Sequence, residues 1–414
     1  MLTLRRAGGK GKQPQQPVFA NHERNSKKRA PRAVCSVYKV KIAINTRFLL
    51  PGRLEGFGWY THEIARRMVL AHPEDEFLFL FDRPFDKRFL YADNVKPQVL
   101  FPRARHAAAF YAWFEWRMPK ALRDFGADVF FSPDAMCSLS ATTPTAMTCH
   151  DLVPLHYPRQ IPFRHRYYLL HYLPKFLRRA DRIITVSEYV RQDIVRSCGV
   201  PSEKIVAVYN GCREGFSPLD DAEKRVVRKE FADRQEYFFY SGAIHPRKNI
   251  QRLIRAYDRF RQKTGAPVKL LLAGRFAWKT GAVKTALEHS PFRDDIRLLG
   301  YVTDEHLALL MASALALVYV STSEGFGLPL LEAMYAETPV LSANATALPE
   351  VAGNAALLVD PYSEAEIAGG MERLWADRAC AAQLIDAGRR QRERFSWDHA
   401  AEQTYQLLKE TAGK

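Results

Sequence analysis

Two glutamates eight residues apart, Glu324 and Glu332, flank a loop with two glycines in SEGFGLPLLEAMYAETPVLSAN, residues 323–344. The longer stretch LALVYVSTSEGFGLPLLEAMYA reads as strand, loop and helix, with Pro329 where proline is favoured, at the first helical position. Glu324 then stands at the carboxyl end of a strand. Gly325 and Gly327 permit backbone dihedrals closed to other residues, so the amides of Gly325, Phe326, Gly327 and Leu328 can point at an anion near the positive end of the helix. Glu332, about one turn in, can face the same cleft. Two carboxylates so placed suit the hydroxyls of a sugar and of a ribose, with phosphate oxygens between them. A capping acid and a surface glutamate on an ordinary βα turn would give the same spacing, so the pair needs support from elsewhere in the chain.

The loop HPRKN (245–249) follows the strand-like EYFFYSG and precedes a helix, which puts Arg247 and Lys248 on another carboxyl-end loop, where a diphosphate needs cations. Two basic residues on a solvated loop are the alternative. In the amino-terminal half, LLPGRLEGFG (49–58) matches neither the dinucleotide fingerprint nor a P-loop, yet it too opens a helix, so Gly56 and Gly58 could approach phosphate or acceptor. His150, followed by Asp151, occupies the same rim, although a lone histidine is more often structural. No Asp-x-Asp occurs, which removes the usual signature of a metal-held nucleotide sugar; no metal or other cofactor is expected. There is no G-x-S-x-G elbow for serine chemistry.

The elements that must position these residues alternate along the chain. KVKIAINT, a helix over 59–72, EFLFLF, a helix over FYAWFEWRMPKALRDFG, ADVFFSP, TAMTCHDL, a helix across YYLLHYLPKFLRRA, DRIITVS and KIVAVYNG form a first βα series. The apolar pattern lapses at REGFSPLDDAEK (213–224) and restarts at EYFFYSGA. Two α/β halves joined by a linker imply two Rossmann-like domains with parallel sheets, facing one another across a ligand cleft. The expected boundaries are a disordered basic tail over 1–39, an acceptor domain over 40–212, a donor domain over 213–395, and a carboxyl-terminal helix over 396–414 packing back on the first domain.

With 414 residues and 47% hydrophobic composition, the chain has ample material for two cores. No apolar run reaches the roughly 18 residues of a membrane span, and no signal-peptide core is present, so a cytoplasmic protein is expected. Six scattered cysteines without Cys-x-x-Cys pairs indicate neither zinc nor a disulfide framework. Of the net charge of +16, residues 1–41 carry +10. Such a tail is too poor in apolar residues to offset the entropy of ordering. Contact with an anionic membrane ranks above nucleic acid, which is not expected because no recognition module accompanies the charge.

SEGFGLPLLEAMYAETPVLSANATALPEVAGNAALLVDP resembles the glutamate-x7-glutamate region of family 4 retaining glycosyltransferases, which have the GT-B fold. NTRFLLPGRLEGFGWYTHEIA, CHDLVPLHYP, ADRIITVSEYVRQDI, VYNGC, YSGAIHPRKNIQRLIRAY and LLLAG are similar to further blocks of that family, in order, and HDLVPLHYP and GAIHPRKN resemble its mannosyltransferase-like branch. The resemblance implies a hexosyltransferase that uses a nucleotide sugar, with GDP-mannose as the first expectation and a UDP-sugar as the alternative. The acceptor would be a glycan or lipid-linked acceptor in lipopolysaccharide or other surface-polysaccharide synthesis. It implies that Glu324 holds donor-sugar hydroxyls, that the backbone from Gly325 to Leu328 cradles sugar and phosphates, and that Glu332 binds the ribose. Arg247 and Lys248 would neutralise the diphosphate, and His150 would lie near the transferred sugar. Retention by front-face attack would require no enzyme nucleophile. The chain departs from the family at Gly242–Ala243, where many relatives have glycine-arginine, and at Cys212–Arg213, where a small apolar-acidic pair is common.

Two competing readings remain: a nucleotide-sugar epimerase, and a binding protein of this fold without catalysis. The helices FYAWFEWRMPK and RHRYYLLHYLPKFLRR are expected to bury most of their aromatic faces and to leave a basic interfacial face for membrane contact.

Overall fold

The computed structural model describes residues 39–413 except 53, 55, 105, 106, 162, 278 and 279, so the basic tail lies outside the described residues apart from Lys39. The first sheet contains β1 (Lys41–Asn45), β2 (Glu76–Phe81), β3 (Val95–Val99), β4 (Val129–Ser132), β5 (Thr145–Cys149), β6 (Arg182–Thr185) and β7 (Ile205–Ala207), in the order β3-β2-β1-β4-β5-β6-β7. The second contains β8 (Tyr237–Ser241), β9 (Lys269–Ala273), β10 (Ile296–Gly300), β11 (Ala316–Tyr319), β12 (Val340–Ala343) and β13 (Leu357–Val359), in the order β10-β9-β8-β11-β12-β13. Every pairing is parallel. β8, β9, β11 and β12 are buried along their whole length, which is why they read as continuous apolar runs instead of alternating ones.

In both sheets the strand order reverses beside the first strand of the half, between β1 and β4 and between β8 and β11. Loops leaving the carboxyl ends of neighbouring strands part at such a reversal and open a crevice. The HPRKN loop leaves β8 and the Glu324 loop leaves β11, so the second crevice is lined by the residues the sequence singled out.

Some elements differ from expectation. VKPQV forms β3, an edge strand whose Lys96, Pro97 and Gln98 are exposed; it offers no apolar run, and its proline is tolerated because an edge has a row of unpaired donors. The three-residue β13 was also not among the expected strands. The first helix begins at Gly56, three residues before Trp59, so Gly56 and Gly58 belong to its first turn. The helix expected over FYAWFEWRMPKALRDFG is divided into Ala107–Ala112, a π-helical segment Trp113–Arg117, and Met118–Phe125.

The chain leaves the first sheet through residues 208–220 and enters the second half at the helix Asp221–Phe231. It returns at the end: the helix Trp397–Ala412 packs on Gly56–Ala71. The Tyr405 hydroxyl donates to Asp75 Oδ2 (2.7 Å), and Arg67 Nε donates to Asp398 (2.6 Å). Gly211, in the connection, lies so close to this helix that a Cβ there would stand 2.4 Å from the Trp397 nitrogen.

Candidate active site

Glu324 is 7% exposed and is held by three groups. Arg247 Nη1 donates to Oε2 (2.6 Å), Lys248 Nζ donates to Oε1 (2.6 Å), and the Tyr319 hydroxyl, at the end of β11, donates to Oε1 (3.1 Å). Lys248 Nζ also reaches the Tyr319 oxygen (2.5 Å). The Arg247 carbonyl accepts from the Thr322 amide (2.8 Å), and Asn249 donates to the carbonyls of Val320 (3.0 Å) and Pro361 (2.6 Å), so the cationic loop is stitched to the glutamate loop by backbone as well as by charge. Asn249 adopts φ 64°, a left-handed conformation that asparagine tolerates better than most residues.

Burial by itself would raise the Glu324 carboxyl, but Arg247 and Lys248 outweigh it and hold the group at about 2. Burial lowers the Lys248 ammonium to about 8, against the attraction of Glu324. Burial and then the two neighbouring cations bring His245 to about 4; this neutral imidazole caps the 3-10 turn Pro246–Lys248 by accepting from the Arg247 amide. Two cations and one carboxylate in hydrogen-bond contact leave one net positive charge at this rim, suited to stabilising a leaving phosphate. Because Glu324 is buried and paired, its removal would strand two largely buried cations.

Glu332 is 3% exposed, in the helix Leu328–Tyr335. It does not stand open to the cleft as its spacing suggested. Arg213, from the connection between the halves, donates to its Oε1 through Nε (2.9 Å) and Nη2 (2.7 Å), and through Nη1 to Asp304 (2.8 Å). Between the glutamates, Gly327 takes φ 108° immediately before the helix, while the Phe326 ring is buried against Tyr209 and Phe395. Phe326 therefore offers a ligand only its backbone. Leu328 is partly buried at the first helical position.

Across the cleft, His150 lies edge-on to Phe57 (4.9 Å) and Tyr60 (4.6 Å), and its Nε2–H donates to the Pro133 carbonyl (2.8 Å). That bond leaves Nδ1 as the acceptor. Burial lowers the imidazole below its usual value, against the pull of the Pro133 carbonyl and of Asp151. Gly58 is buried, and a Cβ there would meet the Phe48 carbonyl at 2.8 Å, whereas Gly56 is exposed with nothing near it. The two glycines thus serve different ends: one lets the loop close on itself, the other leaves the helix start open.

The halves touch at this point. A Cβ on Gly325 would stand 1.7 Å from the His150 carbonyl oxygen, so only glycine fits. The Ser187 hydroxyl donates to the Gly325 carbonyl (2.7 Å). Glu350, in the helix Leu348–Ala352, accepts from the amides of Glu188 (2.7 Å) and Tyr189 (2.9 Å), capping the helix Glu188–Cys198 of the other half. Farther along, a cavity of about 300 Å³ is lined by residues of both halves, among them Leu54, Trp59, Tyr301 and Asp304.

Sequence reasoning missed Arg213, Glu350 and a buried cluster at the first crevice, where Asp134 is paired with Arg47 and accepts from Asn45 (3.2 Å) and Ser132 (2.8 Å). Glu350 lies in PEV and Arg47 in NTR, but nothing in the spacing of these stretches says that partners lie 162 or 87 residues away. His72, Glu74 and Asp75 form the one group of three potential metal ligands among the described residues; it lies beneath the terminal helix, where Asp75 is taken by the Val40 amide (2.8 Å) and Tyr405.

Two facing parallel α/β halves with a charged cleft between them define a GT-B protein. The description "Glycosyltransferase Family 4" matches residues 55–214, and "Glycosyl transferases group 1" matches residues 221–391. The O-antigen chain mannosyltransferase B of Escherichia coli is 30% identical over 369 residues, covering 86% of this chain and 97% of that protein. The O-antigen chain mannosyltransferase RfbU of Salmonella typhimurium is 28% identical over 259 residues, covering 62% of this chain and 67% of its own. Among solved structures, WaaG, a glycosyltransferase involved in lipopolysaccharide biosynthesis, superposes with a TM-score of 0.69 at 15% identity, covering 89% of this chain and 99% of that one. Anabaena HepE in complex with UDP-glucose gives a TM-score of 0.70 at 18% identity, with the same coverage of 89% and 99%. The chain belongs to glycosyltransferase family 4 and is a mannosyltransferase-like hexosyltransferase.

Proposed function

We propose that this enzyme moves mannose from GDP-mannose to a glycan or lipid-linked acceptor in O-antigen or related surface-polysaccharide synthesis, with retention of anomeric configuration. The mannosyltransferases it resembles support the sugar and the pathway class. The observation that carries the chemistry is the Glu324–Arg247–Lys248 cluster, with the adjoining Gly325 packed on the His150 carbonyl. In this reading Arg247 and Lys248 exchange part of their contact with Glu324 for the donor diphosphate and stabilise its charge as the glycosidic bond breaks. Glu324 then accepts from sugar hydroxyls, Glu332 from the ribose, and the backbone from Gly325 to Leu328 cradles the phosphates. Gly56 leaves room for phosphate or acceptor at the opposite rim, and His150 lies near the transferred sugar. Front-face attack, with the leaving phosphate as base, needs no nucleophile from the protein.

The test is thermal unfolding with a panel of GDP- and UDP-sugars. A ligand at about 100 times its Kd adds roughly 2.7 kcal/mol to the state it binds, a shift of a few degrees in Tm. A shift with GDP-mannose alone supports the donor assignment, and a shift with a UDP-sugar alone replaces it. Conversion of donor without acceptor would instead mark an epimerase.

Among the described residues no helix is long and apolar enough to cross a membrane. Peripheral contact is the accompanying proposal. Phe163 and Tyr167 (each 72% exposed) lie one turn apart on the helix Phe163–Arg179, and Trp116 (65% exposed) lies on the neighbouring π-helical segment. Phe110, on the preceding helix Ala107–Ala112, packs on Tyr168 at 5.8 Å, and Arg166, Lys175, Arg117 and Lys120 supply charge. Vesicles containing anionic lipid should bind the protein and release it as salt rises; binding indifferent to salt, or none, would remove the idea.

A further inference from the structure

Arg213 is the point at which the connection between the halves, the second glutamate and the first half meet. Its guanidinium donates twice to a single oxygen of Glu332, Oε1, and once to Asp304. It stands 5.6 Å from the ring of Trp59, in the first helix, and 5.6 Å from the ring of Phe216. Its side chain is 15% exposed and that of Glu332 is 3% exposed, so the pair is largely withdrawn from water. Burial would lower the Arg213 guanidinium, but Glu332 outweighs it and raises the group above its ordinary value. Trp59 and Asp304, the neighbours of Arg213, also line the cavity of about 300 Å³ between the halves.

A buried carboxylate that loses its cation is left uncompensated and turns toward whatever donor it can reach. Because the Arg213 bonds converge on Oε1, the other oxygen of Glu332 takes no part in the pair. The planar fork, flanked by two aromatic rings, fixes the plane of the carboxylate in a way that the single ammonium of a lysine cannot.

We propose that Arg213 is a positioning residue for donor binding: it fixes the Glu332 carboxylate through Oε1 and holds its second oxygen toward the nucleoside half of the nucleotide sugar. The proposal rests on the reading of Glu332 as the ribose ligand. The cation comes from the connection between the halves, so the geometry of that connection sets donor affinity directly. Arg213 touches neither the reacting atoms nor, in this reading, the nucleotide itself.

The test is a cycle of Arg213→Gln, Arg213→Lys, Glu332→Gln and the double variant Arg213→Gln/Glu332→Gln. The readouts are Kd for GDP and for UDP, Tm without ligand, and donor KM against kcat. Bonds to a charged partner lead to an expected weakening of nucleotide binding and a rise in donor KM on the order of 10- to 100-fold for Arg213→Gln, with kcat changed less than about threefold. Arg213→Lys should recover part of the affinity. The double variant should bind no worse than Glu332→Gln alone, because the arginine acts only through the glutamate.

A lower Tm with unchanged nucleotide Kd would make Arg213 a structural residue and overturn the proposal, as would losses that simply add in the double variant. The double variant also separates a folding failure from a binding one, since it removes both buried charges together. If Glu332→Gln leaves Kd and donor KM unchanged, the ribose assignment falls and the proposal falls with it. If wild type binds neither GDP nor UDP, the donor reading fails before Arg213 is reached.

Discussion

Glu324 and Glu332 are both buried carboxylates held by arginine, yet their partners come from different distances and hold them differently. Glu324 takes Arg247 and Lys248 from the loop after β8, a loop joined to its own by the Thr322 and Asn249 bonds. Its site is assembled inside one half at adjoining strand ends. Glu332 takes Arg213 from the connection, 119 residues away, and through that residue it meets Trp59 of the other half. The first glutamate is therefore wired into one sheet's crevice, while the second depends on how the halves are joined. In the proposed mechanism this difference separates a group acting where charge develops from one acting on a distant part of the substrate.

Breaking the comparison begins with its largest expected effect. Glu324→Gln keeps the shape but removes the charge that holds Arg247 and Lys248. It should lower kcat/KM on the order of 10²- to 10³-fold, mostly through kcat, as expected of a group whose interactions strengthen in the transition state. Glu332→Gln should act mainly on donor KM. Steady-state kinetics with varied donor reads both effects at once. If the two variants fall by the same factor in the same parameter, the distinction between local and long-range wiring has no catalytic counterpart.

The same contrast explains what was legible in the sequence. The strands that cross the sheet centres announced themselves, because parallel strands buried on both faces must be continuously apolar, as YFFYS and KLLLA are. The cationic loop and the Glu324 loop were legible because each follows such a strand, and the carboxyl ends of neighbouring strands at a reversal of order meet by topology. β3 was not legible, since an edge strand needs no apolar face. Nor was Arg213, because REGFSPLDDAEK has no periodicity to say which way a side chain points. The role of Gly325 was misjudged in kind: its bareness serves contact with the His150 carbonyl of the other half, on top of the freedom its loop requires. Pairings within a half follow from strand order, whereas those between halves depend on a connection that carries no pattern.

A smaller effect sharpens the comparison through pH. Burial brings Lys248 down to about 8, with Arg247 lowering it further and Glu324 raising it. As pH rises through about 8 the ammonium loses its proton, and with it one of the two cations that the diphosphate requires. The kcat/KM for donor, which reports the free enzyme, should then decline by up to about tenfold per pH unit. Lys248→Arg should remove this limb, because a guanidinium stays charged. Stability runs the other way. The folded value lies below the ordinary one of 10.5, so the unfolded chain binds more protons between about 8 and 10.5. Lys248 therefore contributes most to stability above 10.5, and that contribution is lost as pH falls through about 8. Over the same window activity should fall while this residue's contribution to stability rises. Thermal unfolding of wild type and Lys248→Arg across pH 7–10, beside the rate profiles, separates the two. If activity and Tm decline together in both proteins, the alkaline limb is global unfolding and Lys248 is not its origin. If the limb persists in Lys248→Arg while Tm holds, another group carries it.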